Sequence, residues 1–239
     1  MNEVVLYIRD VQKHYGALRP LRLRSLDVMR GAVVALIGLD AAAAEIFVNL
    51  VTGAMLPDSG QVRVFGVDTS AIDDGEDWLR RLDRFGIFSD RAVLLDELTA
   101  AQNLAMTFSL TVDPIPPEVR TRVDALVGDV GLASDVVERK VADLSALDRA
   151  RVRLGRAVAL APDLLVMEHA TASLAGGDLE PFARDLRRLV ERRALTAVAV
   201  TADARFASAI TSDVRRLQPA TGELVAEAGA WERVRRLFR

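Results

Sequence analysis

The sequence predicts an α/β fold in which a parallel sheet with crossover helices follows an antiparallel β region and carries an inserted helical lobe. Three observations carry this reading. The stretches "DLLVMEHA" and "LTAVAVTAD", starting at Asp163 and Leu195, hold continuous apolar runs of the kind that lie buried on both faces of a parallel sheet. A helical segment from Asp178 to Arg193 separates them, as a crossover requires. In the first part of the chain, "VVLYIRD", "LRLRSLDV", "AVVALIG" and "QVRVFG" read as strands, the last entered through the turn "PDSG". From Thr99 to about Leu160 the apolar spacing becomes helical, interrupted at "DPIPP" and at "VGL" near Gly131.

Bulk composition narrows the function classes. With 239 residues, of which 51% are hydrophobic, the chain can bury a full core. It has no cysteine, which excludes disulfides and thiolate metal sites and fits a reducing cytoplasm. A net charge of -3 supplies no drive toward nucleic acid or an anionic membrane. No apolar run approaches the roughly 18 to 20 residues that span a bilayer, so the expected protein is soluble, or peripheral through a partner. At the end of the chain, "AWERVRRLFR" places Trp231, Val234, Leu237 and Phe238 on one face of an expected helix spanning Trp231 to Arg239, either packed on the core or offered to a partner.

The segment "ALIGLDAAAAEIFVNLVTG" runs from a strand into an amphipathic helix, the place where many α/β proteins hold a nucleotide phosphate. It contains four consecutive alanines, and its loop has no lysine, serine or threonine.

This strand-loop-helix at 32–54 is followed by the helical lobe, by "DLSALDRARVRLGRAVALAPDLLVMEHATASL" and by "VAVTAD". In order and spacing the chain resembles the nucleotide-binding subunit of ABC transporters over nearly its whole length. Arg151, Arg156, "ALAPDLL" and "TASL" make the framework match specific. The resemblance implies a P-loop NTPase-like ABC cassette: one domain over 1–239, with an α/β core and antiparallel β subdomain at 1–89 and 161–239, and a helical lobe at about 90–160. It also implies ATP and Mg²⁺ as ligands, and their residues can be checked one by one.

In the family the phosphate loop reads GxxGxGK[ST]: backbone amides and a helix N-terminus donate to the phosphates, a lysine neutralises charge, and a hydroxyl holds magnesium. Here Gly38 remains, while Ala41 and Ala43 stand at the later glycines, Ala44 at the lysine and Glu45 at the hydroxyl. Alanine at positive φ costs roughly 1 kcal/mol or more, so the run from Ala41 through Ala42 to Ile46 is expected to close into regular helix. Asp40 is then expected to cap that helix and take the amides a phosphate would use, with Glu45 adding favourable charge near its start.

The same pattern recurs at the other motifs. Glu168 and His169 replace the family's Asp-Glu pair at the end of the second catalytic strand. Glu168 retains a carboxylate for an indirect metal contact, Glu45 could hold a metal, and His169 could serve as a base or be merely structural. Ser89 stands at the glutamine position and Ala202 at the switch histidine. The signature LSGGQ reads Leu144, Ser145, Ala146, Leu147, Asp148, and Ala175 replaces the acidic residue of the loop between dimer halves. Tyr15, in "KHYG", lies where the family stacks a ring on adenine, and packing explains a tyrosine there equally well.

Three functions follow as expectations. The first is a pseudo-ATPase that serves as a regulatory or structural subunit, docked on an ABC membrane subunit or an active ABC ATPase at the inner face of the membrane. Its expected docking surface is Ser89, Asp90, Leu94, Leu95 and Leu98 in "SDRAVLLDELTAAQNLAM", a segment that also reads as ordinary lobe core. The second is an exporter ATPase using Glu45, Glu168 and His169 with Mg²⁺. The third retains ATP or ADP as a structural ligand without turnover.

Overall fold

The computed structural model describes residues 3–72 and 74–227. The expected C-terminal helix at Trp231–Arg239 lies outside these residues.

Four antiparallel strands form the first sheet, β1 (Val4–Lys13), β2 (Leu21–Met29), β4 (Ser59–Val64) and β5 (Val67–Asp68), in the order β2-β1-β4-β5. The second sheet has six strands: β3 (Val33–Ile37), β6 (Phe85–Ser89), β7 (Leu164–Glu168), β8 (Thr196–Val200), β9 (Val214–Gln218) and β10 (Glu223–Ala226). Its order is β10-β9-β3-β8-β7-β6, parallel except for the terminal pair β9 and β10.

Side-chain alternation in the central strands divides the core into two layers. Val34 and Leu36 of β3, Val166 of β7, and Val198 and Val200 of β8 pack toward the first sheet and helix α1 (Ala41–Thr52). Ala35, Ile37, Met167 and Ala199 point to the opposite layer, built from α3 (Ala100–Ala105), α4 (Pro117–Val130), α5 (Ala146–Val158), α6 (Leu179–Arg193) and α7 (Ala204–Ile210). Burial on both faces explains the continuous apolar runs of β7 and β8.

The helical lobe begins at a capping box, in which Thr99 accepts from the Gln102 backbone amide and Gln102 accepts from that of Thr99. Asn103, fully buried, accepts from the Leu95 amide and donates to the carbonyls of Leu95 and Thr99. It thereby pins the loop that follows β6. Helix α4 ends at Gly131, whose φ of 73° closes the turn.

Several elements were not anticipated by sequence: β6, the polar edge pair β9 and β10, the exposed helix α2 (Gly75–Leu82) and the short α7. Strand β6 matters most for the site, because it ends at Ser89 beside Glu168 of β7.

Candidate functional site

Ile37, Ser89, Glu168 and Val200 end the neighbouring parallel strands β3, β6, β7 and β8, at the carboxyl edge where open α/β sheets bind ligands. All the motif positions after these strands therefore converge on one edge.

At the end of β3, Gly38 takes a φ of 91°, and a Cβ there would come within 3.0 Å of the Leu217 carbonyl oxygen. That glycine is required by the backbone itself. Helix α1 then begins at Ala41. Asp40 is its N-cap, with Oδ1 accepting from the Ala43 amide at 2.8 Å, while its carbonyl accepts the first helical bond from Ala44 at 2.9 Å. Ala41 and Ala42 are exposed, Ala43, Ala44 and Ile46 are buried, and none of the four alanines has positive φ. The alanine run is thus an ordinary helical turn whose cap is supplied internally. Asp40→Ala is expected to destabilise the fold by about 1 kcal/mol, measured by urea denaturation; Asp40→Asn should lose at most a few tenths.

Glu45 is not in the first turn of α1, so its charge does little for the helix dipole. It reaches across the strand ends instead. Arg91 Nη1 lies 2.5 Å from Glu45 Oε1, and Arg91 Nη2 lies 2.6 Å from Glu168 Oε2. Glu168 is the buried member, with only 8% of its side chain exposed, while the other two are about half exposed. Burial works against the Arg91 charge, but the hydrogen bond and charge of Glu168, with those of Glu45, outweigh it and raise its pKa further. One guanidinium therefore sits between Glu45 of α1 and Glu168 at the end of β7.

Ser89 sets the direction of this arginine. It is buried, and its Oγ accepts from the Arg91 amide at 3.2 Å, closing the turn after β6. Sequence reasoning missed Arg91. The usable signal was two carboxylates, one on the helix after β3 and one at the end of β7, that the parallel sheet brings to one edge and that together call for a cation.

The remaining positions are engaged structurally. His169 has a φ of 45°, its amide donates to Val200, and its Nε2 is buried without a hydrogen-bond partner among the described residues. Among the described residues no carboxylate is hydrogen-bonded to Nε2 to orient the ring, as a general base would need. Ala202 is exposed in the turn between β8 and α7, which Asp203 caps. Ser145 caps α5: its Oγ accepts from the Asp148 amide and donates to Asp148 Oδ2, and Asp148 also pairs with Arg151. Leu144 is buried, with Ala146 and Leu147 half-buried beside the cap. Tyr15 is half-buried against the core; burial, with the nearby Asp40 charge, raises its phenol pKa. Among the described residues no group of three or more His, Asp or Glu side chains converges as a metal site.

Of the expected docking residues, Ser89 and Leu94 are buried, Asp90 and Leu98 are half-buried, and Leu95 is 43% exposed. Val93, which was not anticipated, is 71% exposed. The surface of this loop is therefore presented by Val93 and Leu95, and Leu94 belongs to the lobe core.

Comparison with known proteins places this geometry. The methionine import ATP-binding protein MetN 2 of Burkholderia mallei is 33% identical over 218 residues, covering 90% of this chain and 53% of its own length. MetN of Rhizobium meliloti is 34% identical over 203 residues, covering 84% of this chain and 55% of its own. The chain thus spans about half the length of the curated relatives it matches. The dimeric MJ0796 structure, a bacterial ABC transporter cassette, superposes with a TM-score of 0.75 at 21% identity, over 94% of this chain and 99% of that one. CbiO1 from Clostridium perfringens, part of the cbiONQ transporter complex, gives 0.78 at 17% identity, over 98% and 91%. Both confirm the ABC cassette fold. The family model described as ABC transporter matches residues 21–172, more than half of the sequence, and the chain therefore belongs to the ABC transporter family.

Proposed function

We propose that this chain is a nucleotide-binding-subunit homologue that has become a pseudo-ATPase, acting as a regulatory or structural subunit of a membrane transport complex. The observation that carries the reading is Arg91 held between Glu45 and Glu168. ATP brings several negative charges, and phosphoryl transfer depends on positioning them and on stabilising the charge that develops. Here the positive charge at the site is already spent on two carboxylates. No lysine stands at Ala44, and Asp40 occupies the helix start with a third carboxylate. A phosphate at about 4 Å from such a group is repelled by about 1 kcal/mol even in water, and by more where water is excluded.

Magnesium fares no better. Glu168, the residue suited to an indirect metal contact, gives its carboxylate to Arg91, and the hydroxyl position is Glu45, which does the same. The residues present do not fit a Mg·ATP group. The similar proteins serve in methionine import and in a transporter complex; for this chain, membership of such a complex, with an ABC membrane subunit or an active ABC ATPase as partner, is part of the proposal.

The test is phosphate release by the purified chain with millimolar ATP and Mg²⁺. We expect release at the no-protein background, unchanged in His169→Ala and Glu168→Gln. Release above background that either substitution abolishes would establish an enzyme and refute the proposal.

A further inference from the structure

Between buried Ser89 and buried Leu94, residues Asp90 to Val93 run outside any helix or strand at the carboxyl edge of the parallel sheet. Among the described residues their backbone makes one bond to other backbone, from the Ala92 amide to the Ser89 carbonyl at 3.0 Å. Side chains hold the rest. Arg153 of α5 donates to the Ala92 carbonyl at 3.3 Å and reaches the Asp90 carboxylate at 3.3 Å, which also accepts from the Ser173 hydroxyl at 3.4 Å. Arg156 donates to the Val93 carbonyl at 2.7 Å, and Arg91 makes its two contacts with Glu45 and Glu168.

Leu95 to Leu98 is held by a different chemistry. Fully buried Asn103 accepts from the Leu95 amide at 2.9 Å and donates to its carbonyl at 3.0 Å. The amides of Val141 and Ala142 donate to the carbonyls of Leu98 and Asp96 at 2.9 and 3.1 Å. The ion pair of Glu97 with Lys140 joins two exposed side chains and leaves this backbone alone. Guanidiniums therefore hold the first half of the loop, and neutral amide bonds hold the second. Salt separates the two, because ion pairs that face water weaken as the screening length falls from about 10 Å at 0.1 M to about 3 Å at 1 M.

We propose that Asp90 to Val93 form a flap, latched by Arg91 and hinged at Leu94, that opens and shuts the carboxyl edge of the sheet while the helical lobe stays in place. The inference deepens the reading of a site closed to nucleotide, and rests on it, by naming what keeps that edge shut. Arg91 is the latch because it travels with the flap while Glu45 on α1 and Glu168 on β7 stay behind. Arg153 and Arg156 grip mainly backbone carbonyls, which water satisfies once the flap lifts. Leu94, 7% exposed and packed in the lobe core, marks where the motion stops. Opening loses two ion pairs but returns the Glu168 carboxylate to water, so the relief of its desolvation offsets part of the loss. The latch is thus an ionic one that salt loosens.

Amide hydrogen exchange of the full chain, resolved to single residues, reads both halves at once, with Ala92 reporting the flap and Leu95 the part held by Asn103. The ratio of the two rates is the readout, because a general loss of stability speeds both. Raising sodium chloride from about 0.1 M to about 1 M is expected to increase the Ala92-to-Leu95 ratio on the order of tenfold. Arg91→Ala should show the raised ratio already at low salt and lose its salt dependence, and Glu45→Gln, which removes one half-exposed partner, should fall between Arg91→Ala and the parent. Where Arg91→Ala does not fold, Glu45→Gln and the salt series on the parent decide. Equal acceleration of both amides by salt, or parent-like ratios in both variants, would overturn the flap. Phosphate release is measured separately: an unresponsive ratio with release at background refutes the flap and leaves the pseudo-ATPase reading standing, while release above background with a responsive ratio refutes that reading and leaves the flap.

Discussion

Leu94→Asp is expected to lower stability by about 3 kcal/mol or more, because it puts an uncompensated carboxylate into a core position. Leu94 is 7% exposed and belongs to the cluster that holds the helical lobe against the main sheet. The neighbouring Leu95→Asp should change stability by no more than about 0.5 kcal/mol, since Leu95 is 43% exposed and its backbone, not its side chain, is what Asn103 grips. Urea denaturation of both variants checks the contrast. Similar losses for the two would mean that this loop does not bury Leu94.

Removing the central arginine has the second large effect. Arg91→Ala leaves Glu168 buried and Glu45 near it with no shared cation. Breaking a fully buried pair typically costs about 3 to 5 kcal/mol; with Arg91 and Glu45 half exposed, a loss of about 2 kcal/mol is expected at neutral pH. Neutralising the stranded group should recover much of it, so the Arg91→Ala, Glu168→Gln double variant should be more stable than Arg91→Ala alone. A double variant as unstable as the sum of its parts would show that Arg91 and Glu168 do not interact.

The fold was readable in the sequence wherever burial was two-sided or turn chemistry was plain. The apolar runs in β7 and β8 and the alternation in β1 report their own surroundings directly. Strand β6 escaped because "FGIFS" is only five residues long and is shaped by contact: a Cβ on Gly86 would lie 2.3 Å from the Ala157 carbonyl oxygen of α5. Helix α2 buries no residue, and β9 carries Arg215 and Arg216 through its centre, so neither has a strong apolar signature.

The site divides along the same line. Asp40 as a helix cap is a local event, three residues from its partner Ala43, and could be read from spacing alone. Arg91 gains its role from Glu45 on α1 and Glu168 on β7, elements far apart in sequence that only the sheet order brings together. Likewise, which face of the Ser89-to-Leu98 loop is buried depends on Asn103 holding it, and leucine content says nothing about that direction.

The central claim is that the strand-to-helix turn at Gly38–Glu45 satisfies itself and its neighbours without nucleotide. A thermal-shift titration of the purified chain with ATP and Mg²⁺ tests it most directly, because a ligand at 100 times its Kd stabilises the folded state by about 2.7 kcal/mol. The account predicts no change in melting temperature up to millimolar nucleotide. A saturable rise in melting temperature that requires ATP would contradict it.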